Sequence, residues 1–411
     1  MARKMKDSGI EWIGEIPDGW EVVQLKRFAE VHNGREIDVE VDSTDSSAVG
    51  VYGSGGVFKY TNRAQYSGKA VLFGRKGTLG KPLYVEGQLW AVDTMYFLTY
   101  SNRLLEKFSY YQFLAFNWAP YITHTAIPSV VASEIVACYF PIPPLEEQAK
   151  IVDYLDNSCA SLDTILDKTR SSIEEYKKLK QAVITQAVTK GVRGKREMKD
   201  SGIDWIGKIP KEWVIQKIKS ISSRINVGVV IRPSEYFDEN GTVPFLRGIN
   251  VKEYLISSDN MVYINESSNR ILSKSQVHTD DILIVRDGSI GTSCVVPAEF
   301  DGANVVSMVI ATPSISCDSR FICYSLNSDV GKTQFTLTKI GSALTHTSVS
   351  AVSDIIVAVP SCAEQKEIAD YLDAKCVEID GLIAKKEQLV KELESYKKSL
   401  IYEVVTGKRE V

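Results

Sequence analysis

Residues 5–20 read MKDSGIEWIGEIPDGW, and residues 198–213 read MKDSGIDWIGKIPKEW. A match of that length is beyond chance, and an internal repeat has to be read first because overlooking one misassigns the fold. A second pair closes the repeat: EEQAKIVDYLD at 146–156 returns as AEQKEIADYLD at 363–373. The stretch between opening and closing strings is longer in the second copy, so the chain is a tandem duplication with an enlarged second interior. Inside, the copies diverge, with two surviving echoes: RKGTLG at 75–80 against RDGSIG at 286–291, and THT at 123–125 against THT at 345–347. Each copy therefore reads as a constant opening, a variable domain of about 120 to 145 residues and a constant tail, which suits ordinary domain sizes. The two variable domains are expected to share a fold.

The constant tails carry apolar residues at the spacing of a coiled-coil seam. In the second, Leu372, Ile379, Leu393 and Leu400 fall on one heptad position, with Lys386 interrupting, and Leu382, Leu389 and Tyr396 fall three residues later in the heptad. The first tail shows the same seam through Leu155, Leu162, Tyr176 and Val183, joined by Ile165 and Leu179. Pro143 and Pro144 ahead of Glu146 and Glu147, and Ser361 with Glu364 as a capping box, mark the helix starts. Gly191 and Gly407 mark the stops. A helix over 145–188 would be roughly 65 Å long at about 1.5 Å per residue. So long an apolar stripe is not left in water, and each helix has a near-copy to cover it, so the two are expected to pair as an antiparallel coiled coil.

The variable domains look mixed. Apolar, β-rich runs at 70–73, 282–285 and 305–310 are bounded by Gly, Asn and Asp, as strands are, and helices are expected at 108–116 and 321–326. The fold expectation is thus a mixed α/β (α+β) chain with a pseudo-two-fold internal repeat: two globular domains separated by two long helices. The segments are 1–140, a helical region and linker at 141–197, 198–357, and a second helical region at 358–411.

The chain has 411 residues, 44% hydrophobic, which is globular rather than disordered composition. No stretch approaches the roughly 18 to 20 uninterrupted apolar residues of a bilayer span, and the opening lacks the apolar core of a signal peptide, so a cytoplasmic protein is expected. The seven cysteines, at 138, 159, 294, 317, 323, 362 and 376, are scattered singly, against both disulfides and a structural zinc site. A formal net charge of -4 weighs mildly against nucleic acid, but it averages over a surface on which basic faces can coexist with acidic helices.

The strings MKDSGIEWIGEIP, PIPPLEEQAKIVDYLD and YKKSLIYEVVTGK, set around two variable regions, closely resemble the specificity subunits of Type I restriction-modification systems, and the resemblance covers the whole chain. It implies a non-catalytic, sequence-specific binder of double-stranded DNA that recognises an asymmetric, two-part target through recognition domains at 20–140 and 213–357. The implied partners are two methyltransferase (modification) subunits and restriction (translocase) subunits. AdoMet is expected on the methyltransferase, ATP and Mg on the restriction partner, and no cofactor on this chain. If the heads straddle one helical turn of DNA, half-site centres are expected roughly 34 to 36 Å apart. The rival class is a coiled-coil scaffold that joins proteins without reading DNA.

The residues themselves argue for division of labour. Parts common to both copies cannot tell one half-site from another, so base reading must lie where the copies differ. Major-groove reading takes Arg or Lys on guanine and Asn or Gln on adenine. In the glycine loop, Arg75, Lys76 and Thr78, matched by Arg286 and Ser289, suit phosphate positioning because the motif is shared; a hairpin turn explains the same glycines. His124 and His346 lie on a loop that touches DNA or simply fixes a turn. Copy-specific polar residues are the candidates for base reading: Lys59, Tyr60, Asn62 and Arg63, then Arg247, Asn250, Lys252, Asn269 and Arg270. Trp12, Ile13, Trp205 and Ile206 read as anchors packed on the domain, with a partner site as the alternative.

Catalytic readings find little. A DNA methyltransferase needs an Asn or Asp followed by two prolines and an aromatic residue, and none occurs. Asp354, Glu364 and Lys366 resemble a metal-dependent nuclease triad, but the first copy has Ala149 where the lysine would be. The run at 74–81 has one residue too many for a P-loop and Pro82 in place of Ser or Thr.

Overall fold

In a computed structural model that describes residues 3–123, 125–339 and 346–411, with 338 and 339 described by backbone alone, the two constant tails are single helices, Leu145–Lys190 and Cys362–Val405. At about 1.5 Å per residue the first is about 69 Å long. The start signals work in different ways. Pro144 O accepts from Glu147 N and Gln148 N, both at 2.9 Å. Ser361 Oγ accepts from Glu364 N at 3.4 Å, but the Glu364 carboxylate turns to Arg196 at 2.6 Å, so only half of the expected capping box forms. Gly191 and Gly407 follow the last turns in left-handed conformations, φ +75° and +71°.

Two compact units emerge: one runs to Ser171 and includes Glu387–Val411, the other is Ser172–Lys386. Each takes a portion of both helices. In the first unit Asp163 meets Lys397 at 2.6 Å and Arg170 meets Glu394 at 2.6 Å; numbers rise on one helix and fall on the other, so the pair is antiparallel. In the second, Lys386 lies over the Tyr176 ring at 5.7 Å and Lys180 meets Asp380 at 2.6 Å, again antiparallel.

The seam corrects half of its expected composition. Leu155, Leu162, Leu372, Ile379 and Leu400 are buried, with Tyr176, Val183 and Leu393 half-buried. The second row, however, lies four residues on rather than three: Cys159, Leu166, Ile173, Ala369, Cys376 and Val404 are buried. Ile165, Leu179, Leu382, Leu389 and Tyr396 are 37–49% exposed. At 3.6 residues per turn, steps of three and four leave the seam on opposite flanks. In the first helix the flank holding Ile165 and Leu179 is broken by Ser158 and Ser172, whereas the other is apolar from Cys159 to Ile173. In the second the exposed row Leu382, Leu389 and Tyr396 is itself unbroken, so the apolar pattern alone does not select the buried flank.

The variable domains share the order of four sheet strands. The first has a six-stranded sheet ordered Ala29–Asn33, Met95–Tyr100, Tyr66–Gly74, Leu83–Ala91, Val49–Gly53, Gly56–Thr61. The second repeats its first four places as Ser222–Val227, Met308–Pro313, Ile282–Val285, Ser293–Val295. Its last strands form a separate sheet, in which Val243–Leu246 pairs parallel with Asn304–Val305 as Val49–Gly53 pairs parallel with Leu83–Ala91. The displacement between copies rises from 194 at Gly34 and Gly228 to 211 at Arg75 and Arg286, so extra residues of the second copy lie around this separated portion, and others form the helix Asp329–Lys339. Central strands are covered on both faces: Val71 and Phe73 enter one core cluster and Ala70 and Leu72 another, as Ile282 and Ile284 alternate with Leu283 and Val285. Helices Glu106–Ala115 and Ser319–Asn327 supply Phe108 and Phe321 to the corresponding cores.

The expected strand at 305–310 is broken: Ser307, at φ +48°, separates Asn304–Val305 from Met308–Pro313. The domain ends are pinned identically, with Glu21–Gln24 pairing Tyr139–Ile142 and Val214–Lys217 pairing Ile356–Val359, each just ahead of a long helix.

Candidate nucleic-acid interface

The constant tails grip each domain through the same three residues. Arg3 lies over Trp20 at 5.5 Å and pairs with Glu147 at 2.6 Å; Arg196 lies over Trp213 at 5.3 Å and pairs with Glu364 at 2.6 Å. Gln148 Oε1 accepts from Leu105 N at 2.8 Å, as Gln365 Oε1 accepts from Asp318 N at 2.9 Å. Asp156 accepts from Lys107 and Tyr111, both at 2.7 Å; Asp373 accepts from Arg320 at 2.6 Å and Tyr324 at 2.7 Å. Burial, reinforced by those carboxylates, pushes the Tyr111 and Tyr324 phenols well above their usual range, so both stay protonated donors. These anchors tie each domain to its own helical segment.

In each domain the glycine loop is tied to a segment distant in sequence. In the first domain the glycine loop connects the antiparallel strands Tyr66–Gly74 and Leu83–Ala91, with Gly77 at φ +80°. It is clamped by the segment after THT: Lys76 bridges Ser129, Gly77 N donates to Pro128 O at 3.0 Å and Val130 N donates to Arg75 O at 3.0 Å. In the second domain Asp287 bridges His346, Thr347 N donates to Arg286 O at 3.1 Å and Arg286 Nε donates to Thr347 O at 3.0 Å. In both domains the glycine loop thus meets a second segment distant in sequence, residues 128–130 in the first and His346 and Thr347, within THT, in the second. The glycines do serve a hairpin, and the same hairpin holds Lys76, Thr78 and Ser289 out in solvent. Arg75 is half-buried over the Tyr96 ring at 5.7 Å.

The other candidates scatter. Asn62, Arg63, Lys252 and Arg270 are exposed, and Lys59 is exposed but paired with Glu40 at 2.7 Å. Arg247 is half-buried and donates to Asn260 O. Two expected base readers are structural instead. Asn250 is fully buried, its Oδ1 accepting from Arg247 N at 3.1 Å and its Nδ2 donating to Ser257 O at 3.1 Å and Asp259 O at 2.9 Å. Asn269 is buried between Gly302 O at 3.1 Å and Asn304 Nδ2 at 3.0 Å. A buried amide must satisfy its own donors and acceptors, and these two spend theirs on the fold. His124 and Thr345 lie outside the described residues. Ile13 and Ile206 are buried anchors; Trp12 packs edge-on to Phe116 at 5.8 Å, while Trp205 is 40% exposed.

One rim segment escaped the sequence reading. Gly34 N donates to Met95 O at 2.9 Å and Gly228 N to Met308 O at 2.8 Å, at equivalent places in the two sheets. A Cβ would stand 1.9 Å from Val92 O at Gly34 and 2.4 Å from Val305 O at Gly228, so only glycine permits this approach. Beyond the glycines the chains differ: exposed Arg35 and Glu36 stand where the second copy has half-buried Val229 and exposed Val230, and Ile37 is half-buried where Ile231 is exposed. HNGREI and NVGVVI share too little for sequence comparison to align them.

The nuclease-like trio separates. Asp354 pairs with Lys217 and Lys219, both at 2.9 Å, which hold its carboxyl below the usual range, whereas Glu364 is committed to Arg196 and donates nothing to that site.

The family model for the Type I restriction modification DNA specificity domain matches residues 17–175 and 210–393. The Type I restriction enzyme MjaVIII specificity subunit of Methanocaldococcus jannaschii is 25% identical over 424 aligned positions, spanning 96% of this chain and 93% of its own length. The EcoKI specificity subunit of Escherichia coli is 22% identical over 208 positions, reaching 49% of this chain and 44% of that protein. Among solved structures, a chain from work on complex assembly and conformational transition of the type I R-M system superposes over 96% of this chain and 99% of its own, with a TM-score of 0.73 at 16% identity. The HsdS subunit from Thermoanaerobacter tengcongensis does so over 96% and 98%, with a TM-score of 0.50 at 16% identity.

Proposed function

Since the chain belongs to the type I restriction-modification DNA specificity family, we propose that it is the target-reading subunit of such an enzyme: it binds double-stranded DNA at an asymmetric bipartite sequence, one half per variable domain, and recruits the modification and restriction subunits. The observation that carries this reading is the doubled rim. Both domains hold the same loop pair on the same sheet, yet fill it with different side chains, as two readers of two different half-sites require.

In this reading Arg75, Lys76, Thr78, Arg286 and Ser289 position phosphates, because they lie on the shared loop, and exposed copy-specific residues such as Asn62, Arg63, Lys252 and Arg270 contribute to sequence reading. The paired helices present equivalent surfaces to two methyltransferase copies. Catalysis rests on the partners: AdoMet on the methyltransferase, ATP and Mg on the restriction subunit, all in the cytosol.

The test is co-expression with the methyltransferase partner and mapping of methylated bases across a genome by long-read sequencing. A split motif is expected. Exchanging residues 213–357 for a divergent relative's is expected to change one half of that motif and keep the other; an unaltered motif after the exchange would favour a scaffold that reads no DNA.

A further inference from the structure

In the second domain three segments converge on one stretch of rim. Val229 N donates to Val305 O at 2.8 Å and Ser307 N donates to Val229 O at 3.0 Å, which joins the 228–232 loop to the break between strands. Ser307 Oγ donates to Asp287 Oδ2 at 3.2 Å, and Asp287 bridges His346. Ser307 and Arg232 both hold left-handed backbone, φ +48° and +45°, which side chains other than glycine seldom adopt and which persists where surroundings over-determine it. On this stretch stand Val230, 53% exposed, Ile231, 80% exposed, and the exposed carboxylate of Asp287.

We infer that Ile231 and Asp287 are specificity-determining residues: Ile231 packs on a thymine methyl, and Asp287 accepts a hydrogen bond from the exocyclic amine of a cytosine, in one half of the duplex target. The inference rests on the DNA-reading function proposed above. Its physical ground is the mismatch between this stretch and phosphate. Asp287 occupies the loop position that Lys76 holds in the first domain, and a carboxylate there repels the backbone; on DNA its attractive partner is an amine donor on a base edge, which cytosine presents in the major groove. Singly exposed apolar residues are ordinary, but Val230 and Ile231 stand together at the tip of a loop held by backbone hydrogen bonds, beside that acid. The base-edge feature complementary to an aliphatic tip is the thymine methyl. The places in the first domain equivalent to Val230, Ile231 and Asp287 carry Glu36, a half-buried Ile37 and Lys76, so the two rims present different chemistry to a duplex.

The experiment compares methylation maps for wild type, Ile231→Ala and Asp287→Asn, each as the full chain co-expressed with the methyltransferase partner. Both side chains are exposed, so thermal melts should match wild type. The expected result is a split motif with one half unchanged and the other relaxed, by about tenfold at a thymine for I231A and at a cytosine for D287N. Replacing that thymine with uracil in a synthetic duplex should weaken wild-type binding and leave the I231A protein indifferent. An identical motif in all three proteins, or relaxation in both halves, would overturn the inference while leaving DNA reading intact. A wild-type map without any split motif would bring down the DNA-reading function itself, and this inference with it.

Discussion

At the inner end of each variable domain, where it meets the long helices, the two copies agree residue for residue: Trp20 with Trp213, Glu147 with Glu364, Gln148 with Gln365, Asp156 with Asp373. At the rim they share the backbone, the loop glycines and Arg75 with Arg286, and differ in most other side chains. Where the first copy shows Arg35, Glu36 and Lys76, the second shows Val229, Val230 and Asp287. The difference separates two duties of a domain. Contacts that fix its orientation have one solution and are repeated; contacts that discriminate a ligand must vary, and do so on a scaffold that does not.

If the inner ends are equivalent, matched substitutions should cost the same. Leu155 and Leu372 are both fully buried in their seams, and truncation to alanine at either is expected to destabilise by about 3 kcal/mol. Urea denaturation of the two variants checks this, and costs that differ by more than about a factor of two would break the equivalence.

The acidic anchors sharpen the comparison, because here the units differ. The Glu364 side chain is 3% exposed and that of Glu147 is 25% exposed. Glu364→Ala takes the buried carboxylate from the mostly buried Arg196, which keeps Glu212 at 2.9 Å, Lys190 O at 3.1 Å and the Trp213 ring, and is expected to cost about 2 kcal/mol. Glu147→Ala breaks a better-solvated pair and is expected to cost about 1 kcal/mol or less. Equal shifts in unfolding midpoint would mean that burial does not distinguish the two anchors.

The smallest effect concerns the rims. Lys76→Ala should weaken binding to a target duplex uniformly across sequences and reduce the magnitude of the salt-dependence slope by about 1, measured by fluorescence anisotropy at several salt concentrations. Asp287→Asn should leave that slope nearly unchanged, because no phosphate contact is lost. A slope change for Asp287→Asn as large as that for Lys76→Ala would erase the contrast between the rims.

The duplication, both long helices with their glycine stops, the central strands at 70–73 and 282–285 and the glycine loop could all be read along the chain, because each is written in local order: repeats, heptads, apolar runs and turn residues. Tertiary structure alone decided the rest. Which flank of each helix is buried, and hence that Leu166 and Ile173 rather than Ile165 and Leu179 face inward, depends on the partner helix. The inward fate of Asn250 and Asn269 depends on carbonyls several to dozens of residues away. The rim itself joins segments near 34, 76, 94 and 128 in one copy and 230, 287, 307 and 346 in the other, brought together by sheet pairing. Local patterns report what a residue prefers within its own turn or strand; only folding sets which distant groups satisfy one another and which side chains are left free to meet a ligand.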